Sequence, residues 1–149
     1  MKKIKIRIKR KPSAKDLPIP AYATGGSSGV DLYADVDRDE VISPGEIKLI
    51  SCGIYLEMPE GYEAEVRPRS GLAIKHGISL VNTPRTIDSD YRGLVNLIVI
   101  NHGNEDYVVK RAQRLAQMVF KEVARAEFVE VDELEDTKRS HGGFGHTGV

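Results

Sequence analysis

Three clusters in this chain carry side chains that could handle a phosphorylated or planar ligand. The first is Arg67-Pro68-Arg69-Ser70-Gly71. Guanidinium groups, a hydroxyl and N–H groups at the start of a predicted helix make a natural phosphate cradle. The plainer reading is a capped helix beside a salt bridge. The second is Thr86-Ile87-Asp88-Ser89-Asp90-Tyr91-Arg92-Gly93, with two carboxylates, an aromatic ring and a base in one loop. Loops that dense in functional groups are often sites, although the same residue types also build ordinary hydrogen-bonded turns. The third, Gly142-Gly143-Phe144-Gly145-His146-Thr147-Gly148, reads first as a floppy tail. Phe144 is the anomaly there, because a ring held between glycines can swing onto a planar ligand and stack on it.

Other common sites are missing. There is no Gly-x4-Gly-Lys-Ser/Thr phosphate loop and no Gly-x-Ser-x-Gly elbow. His76, His102, His141 and His146 lack metal-ligand spacing. Cys52 is the single cysteine, so neither an intrachain disulfide nor a cysteine-type zinc site can form. One unpaired thiol suits a reducing, cytoplasmic setting. The start, Met1-Lys2-Lys3-Ile4-Lys5, has bases but no apolar run behind them, so it does not read as a signal peptide. No apolar stretch is long enough to span a bilayer, and no membrane partner is expected.

These groups must be positioned by a single domain of 149 residues, 40% hydrophobic and 30% charged. The 22 basic and 22 acidic side chains cancel, which disfavours a chain that lives by gripping the nucleic-acid backbone. Ile4, Ile6 and Ile8 alternate with Lys3, Lys5, Arg7 and Lys9, a strand with one wet, basic face. That face is a weak nucleic-acid stripe and a better guard against edge pairing.

Pro12, Pro18 and Pro20 interrupt regular structure, and a Gly/Ser cluster follows at Gly25 to Gly29. Short strands are then predicted at Val30 to Ala34, Val41-Ile42, Ile47 to Ile50, Ile54 to Leu56, Tyr62 to Val66, Ile78 to Val81 and Leu94 to Ile100. Ser43-Pro44-Gly45, Cys52-Gly53 and Pro59-Glu60-Gly61 are turn signals between them. Such spacing predicts an all-β sandwich or barrel. One short helix is expected over Ser70 to His76, with Ser70 as N-cap and Gly77 as C-cap. Asn82 to Gly93 could form a hairpin, and Arg114 to Val123 fits either a helical stripe or a strand.

In this order, the clusters resemble the five motifs of the homotrimeric dUTPase family, from about Leu17 to Gly148. The first is Ala21-Tyr22-Ala23-Thr24, the Gly/Ser loop and Gly29-Val30-Asp31-Leu32-Tyr33-Ala34. The second is Arg67 to Ala73, ending in Lys75-His76-Gly77. The third runs from Asn82 through Ile87-Asp88-Ser89-Asp90-Tyr91-Arg92-Gly93. Arg114-Leu115-Ala116-Gln117-Met118 is the fourth, and Arg139 with Gly142 to Gly148 the fifth.

The resemblance implies a jelly-roll-like β-barrel subunit with one short helix, assembled as a homotrimer. Residues 1–136 would form the barrel and 137–149 a Gly-rich arm that closes over the site. It resolves the Arg114 segment toward strand. Each active site would draw on three chains: the third motif from one, the first, second and fourth from another, the fifth from the last. The implied reaction is hydrolysis of dUTP to dUMP and pyrophosphate, which keeps uracil out of DNA and supplies dUMP for dTMP synthesis.

By similarity, Asp88 would orient and deprotonate the water. Arg69, Ser70, Gly71 and Gln117 would hold the phosphates, and Arg139, Gly145, His146 and Thr147 would close the far end. Mg2+ would sit on the phosphates and on waters, with Asp31 touching those waters from outside. Asn82, Thr86 and Ile87 would read uracil, Tyr91 would exclude a ribose 2′-hydroxyl, and Phe144 would stack on the base.

The chain departs from the family pattern in places. Arg85 stands where the family usually has Gly; if that backbone needs positive φ, arginine strains it. Leu94 replaces a residue that is often polar, and Ser140 replaces a frequent Gly. Rival readings are a dCTP deaminase, close in fold but releasing ammonia, and a non-catalytic nucleotide-binding or regulatory protein.

Overall fold

The computed structural model describes residues 2–143. Its elements in chain order are β1 (Arg7–Arg10), β2 (Val30–Tyr33), β3 (Glu40–Ile42), β4 (Ile47–Glu57), β5 (Tyr62–Pro68), α1 (Ser70–His76), β6 (Ile78–Leu80), β7 (Arg85–Ile87), β8 (Leu94–Asn101), β9 (Tyr107–Val109) and β10 (Arg114–Glu122). One four-stranded sheet has the order β1-β4-β8-β6, and a second has the order β2-β10-β5-β7. A small sheet pairs β3 with β9, and every pairing is antiparallel. The architecture is all-β and jelly-roll-like with one short helix, as expected.

The core follows from alternation. On β8, Val95, Leu97 and Val99 are fully buried while the residues between them are half-exposed. Each contributes about 1.5–3 kcal/mol of apolar burial. Ala64 and Val66 of β5, Leu32 of β2 and Met118 of β10 join the same cluster from the other sheet. Asn101 is the buried polar exception and is satisfied. Its amide donates to the carbonyls of Ile42 and Glu105, both at 2.8 Å.

Several expectations need correction. Cys52-Gly53 is no turn; β4 runs through it from Ile47 to Glu57. The register with β8 slips between Ser51 and Tyr55, and the slip absorbs the glycine as a bulge. Pro12 starts a single 3₁₀ turn rather than breaking all structure. Ser70 is the first helical residue, and Arg69 is the N-cap, with extended backbone and no side-chain cap bond. Gly77 does cap the C-terminus at φ 68° and donates to Ala73 O at 3.0 Å. A Cβ there would lie 2.5 Å from Gly103 N. Asn82 to Gly93 is not a hairpin, since β6 pairs with β8 while β7 crosses to the other sheet and pairs with β5. The Arg114 segment is strand β10.

Asp35, its side chain 1% exposed, is the main buried charge away from the clusters. Lys11 Nζ lies 3.2 Å away, Arg111 Nη1 3.0 Å and Ser51 Oγ 3.2 Å. Arg111 also grips Asp16 at 2.7 Å and so ties the N-terminal segment to the barrel. From the last two residues of β10 onward, every residue from Lys121 to His141 is exposed in the isolated protomer. Among the described residues, no helix is long and apolar enough to cross a membrane.

Candidate functional site

The first and fourth motifs meet on neighbouring strands. Gln117 on β10 lies opposite Asp31 on β2 and opposite Arg67 on β5. Directly opposed residues of an antiparallel pair share a face, so the row presents a carboxylate, an amide and a guanidinium together. Arg67 turns to Glu65 at 2.6 Å, and Lys121, together with Arg67, holds the Glu65 carboxyl below its usual range.

Asp31 is the centre of this end. Its Oδ1 lies 3.1 Å from Arg69 Nε and its Oδ2 3.1 Å from Arg114 Nη1. Arg69 also reaches the Arg114 carbonyl at 3.4 Å. The Asp31–Arg69 contact is close but misaligned, so neither Oδ1 nor Nε completes a hydrogen bond. Ser70 and Gly71 follow at the exposed start of α1. Leu72 and Ala73 donate to Arg69 O, which begins the helix there. The cluster therefore holds two guanidiniums against one carboxylate, beside a hydroxyl and Gln117. Two guanidiniums so placed can accept a polyanion in place of that carboxylate. Arg114 was given no role by the sequence reading; its place three residues before Gln117, in the same motif, was the available clue.

The third motif lies at the other end of β5. Ile87 pairs with Ala64, and the chain leaves the sheet at Asp88. Arg69 follows Pro68, the far end of the same strand. The five steps from Ala64 to Arg69 span roughly 17 Å at about 3.3 Å each. Within one protomer, then, Asp88 and the Arg69–Gly71 cradle cannot touch the same phosphorus atom.

Asp88 is exposed, on an open groove of about 760 Å³ lined also by Tyr62, Ser89, Asp90, Arg92 and Arg125. Tyr91 N–H donates to Asp88 O at 3.2 Å, and Tyr91 O–H donates to Leu94 O at 3.1 Å. Arg92 donates to Ser89 O at 2.6 Å. A Cβ on Gly93 would come within 2.8 Å of Tyr91 Cε2, so the ring's place requires glycine there. Asn82 and Thr86 are exposed and Ile87 is buried.

Arg85 is not strained. Among the described residues, the non-glycine positive φ angles belong to Ala112 and Ser140, and Arg85 is ordinary strand. Its guanidinium donates to Asn96 O. Ser140, by contrast, takes φ 41° where glycine would be at ease. Arg139 folds back onto Gly142 O at 2.8 Å. Phe144, Gly145, His146 and Thr147 lie outside the described residues.

A family model described as dUTPase matches residues 15–148. The deoxyuridine 5'-triphosphate nucleotidohydrolase of Caldanaerobacter subterraneus subsp. tengcongensis is 56% identical, covering 98% of this chain and 99% of its own. That of Syntrophotalea carbinolica is 52% identical, with 99% of both covered. Among solved structures, the Staphylococcus bacteriophage 80alpha dUTPase with dUPNHPP superposes with a TM-score of 0.83 at 22% identity, over 97% of this chain and 99% of that one. A mutant dUTPase from phage phi11 of S. aureus, whose structure reveals coordination of a structural Mg(II) ion, gives a TM-score of 0.78 at 18% identity, over 89% and 99%.

Proposed function

The chain belongs to the dUTPase family, and from that premise we propose that it hydrolyses dUTP to dUMP and pyrophosphate. Water adds to the α-phosphorus, the bond to the bridging oxygen breaks, and pyrophosphate leaves. Asp88 orients that water and takes its proton. Phosphoryl transfer asks the protein for position and charge neutralisation, and the residues at the two ends of β5 divide those tasks. Arg69, Ser70, Gly71 and Gln117 hold the phosphates. Arg139, with Gly145, His146 and Thr147, closes over them, and Phe144 stacks on the base.

The observation that carries this reading is the Asp31–Arg69–Arg114 cluster beside Ser70 and Gln117. A triphosphate replaces the carboxylate on the arginines and leaves Asp31 facing it. Asn82, Thr86 and Ile87 read the base. Uracil offers a donor at N3 and an acceptor at O4, and cytosine reverses both, so cytosine leaves buried partners unpaired. Tyr91, pinned to Leu94 O, fills the space a 2′-hydroxyl needs.

Magnesium fits this donor set. Among the described residues no group of three or more ligating side chains gathers. Asp31 has one oxygen without a hydrogen bond, facing the cradle. An ion that keeps most of its water is suited to phosphate oxygens with one carboxylate outside its hydration shell, and Asp31 would be that carboxylate. When bound, the ion neutralises charge on the phosphates.

The separation of Asp88 from the cradle favours a site shared between copies, in a homotrimer. The exposed Lys121 to His141 segment adds support, since Phe128 and Leu134 there are 95% and 89% exposed in the isolated chain. Apolar side chains that bare seek cover from another surface.

The test is pyrophosphate release from dUTP with magnesium, beside dCTP, dTTP and UTP, together with an ammonia assay on dCTP. Release from dUTP alone is expected. Asp88→Asn should lose turnover by about 100-fold or more while binding a non-hydrolysable dUTP analogue as before. Retained turnover in that variant would place the base elsewhere, and ammonia from dCTP would make the chain a deaminase.

A further inference from the structure

The geometry points to Arg85 as a positioning residue for nucleobase recognition, tying the chain that crosses between the two sheets to the open edge of β8. The inference rests on the reading that the 82–93 loop holds a uracil nucleotide.

The open edge follows from the register. β6 covers β8 only as far as Leu80 opposite Val99, with one more bond from Val81 N–H to Ile98 O at 2.9 Å. Along a strand, carbonyls two residues apart point out of the same edge. The carbonyls of Asn96 and Leu94 therefore leave β8 on the side where β6 has ended. Both are capped by groups from the 82–93 loop or beside it. Asn96 O accepts from Arg85 Nη1. Leu94 O accepts from Tyr91 O–H at 3.1 Å and from Asn96 Nδ2 at 3.2 Å.

Arg85 can do this because of the face it occupies. It lies opposite Val66 and two residues from Ile87, and both of those are buried. Its stem therefore runs along the apolar side of β7, and its head lands on the other sheet. Val81 and Asn82 lie in a turn, and among the described residues no side-chain hydrogen bond holds residues 82–84. Arg85 is thus the first fixed point after the crossover, and Tyr91 is the matching anchor two residues along the same edge of β8.

The two anchors set how Asn82 faces Tyr91. Asp88 is held differently. The ladder of β7 on β5 carries it whether or not Arg85 donates. Loss of the donor should therefore loosen recognition of the base and leave the chemical step in place.

Arg85→Met keeps the stem and removes the donor; Arg85→Lys keeps a donor able to reach one carbonyl. Arg85→Met should raise KM for dUTP roughly tenfold, the scale of one charged hydrogen bond. Its kcat should stay within about twofold, and its preference for dUTP over dCTP should narrow. Arg85→Lys should recover most of the KM and the preference. Melting curves establish that both variants are folded. The inference is overturned if Arg85→Met keeps the wild-type KM and preference, if kcat falls instead of KM rising, or if Lys and Met are equally impaired. Binding of a non-hydrolysable dUTP analogue is measured in parallel. A wild-type chain that binds it without hydrolysing dUTP would sink the catalytic reading, and the affinity of Arg85→Met would still decide this one. A wild-type chain that neither binds nor hydrolyses would overturn both.

Discussion

Asp88→Asn and Arg69→Ala, each alone, should be nearly inactive; mixed in one assembly they should restore each other. The reason is the β5 strand, which places Ile87 opposite Ala64 and Arg69 beyond Pro68. Roughly 17 Å of strand separates them, whereas a water-holding carboxylate and a phosphate cradle must converge on one phosphorus. Each site must then take Asp88 from one copy and Arg69 from another. Suppose the two variants mix at random in equal amounts. A given site has its Asp88-bearing chain from the Arg69→Ala pool about half the time, and its cradle chain from the Asp88→Asn pool about half the time. About one quarter of sites are then complete, so mixed trimers should show about a quarter of wild-type turnover. Differently tagged variants can be co-expressed, or unfolded and refolded together, and pyrophosphate release followed with saturating dUTP. Activity that stays at the sum of the two parents would mean that each site lies within one chain. The strand argument would then be wrong.

Two further expectations concern stability. Asp35→Ala removes the partner of Lys11 and Arg111 and should cost about 3 kcal/mol in urea unfolding, the low end for a broken buried pair because both bases remain partly in water; a loss near zero would make the cluster incidental. Burial, with Asp35 adding and Arg85 opposing, pushes the Cys52 thiol from 9.0 up to about 12. Between those values the unfolded chain has lost the proton and the folded chain has kept it, so the stability present below pH 9.0 declines by roughly 1.4 kcal/mol per pH unit. Cys52→Val cannot titrate, so its stability relative to wild type should improve steadily above that pH; curves that fall in parallel would refute the assignment.

The sequence was most legible where local chemistry decides structure. Ser70 to Gly77 reads as a short helix because Gly77 alone can cap it in the left-handed region against Gly103. The alternation of β8 reads as a strand because one face is buried along its whole length. Two of the misreadings share one cause, partners distant in sequence. Cys52-Gly53 looks like a turn, but the pairing of β4 with β8 carries the strand through it. The 82–93 segment looks like a hairpin, yet its one strand, β7, leaves the sheet of its flanks β6 and β8 and pairs with β5 in the other. β9 went unread because three residues have no period to show. At the site, individual residues were legible by resemblance, while the pairing of Asp31 with Arg69 and Arg114 and the landing of Arg85 on Asn96 were not. Those contacts span 38, 83 and 11 positions of chain.

The Asp31 carboxylate has a consequence for how a turnover would end. On the proposed roles it acts as a tethered rival for the arginines. Substrate with its full triphosphate outbids it; pyrophosphate, once cut from the nucleotide, is held by fewer contacts. A carboxylate on the neighbouring strand meets those guanidiniums at an effective concentration that no free anion matches. Departure of the product then becomes an exchange of one anion for another, with neither guanidinium stripped bare on the way. The empty site is left charge-paired and ready to be displaced again.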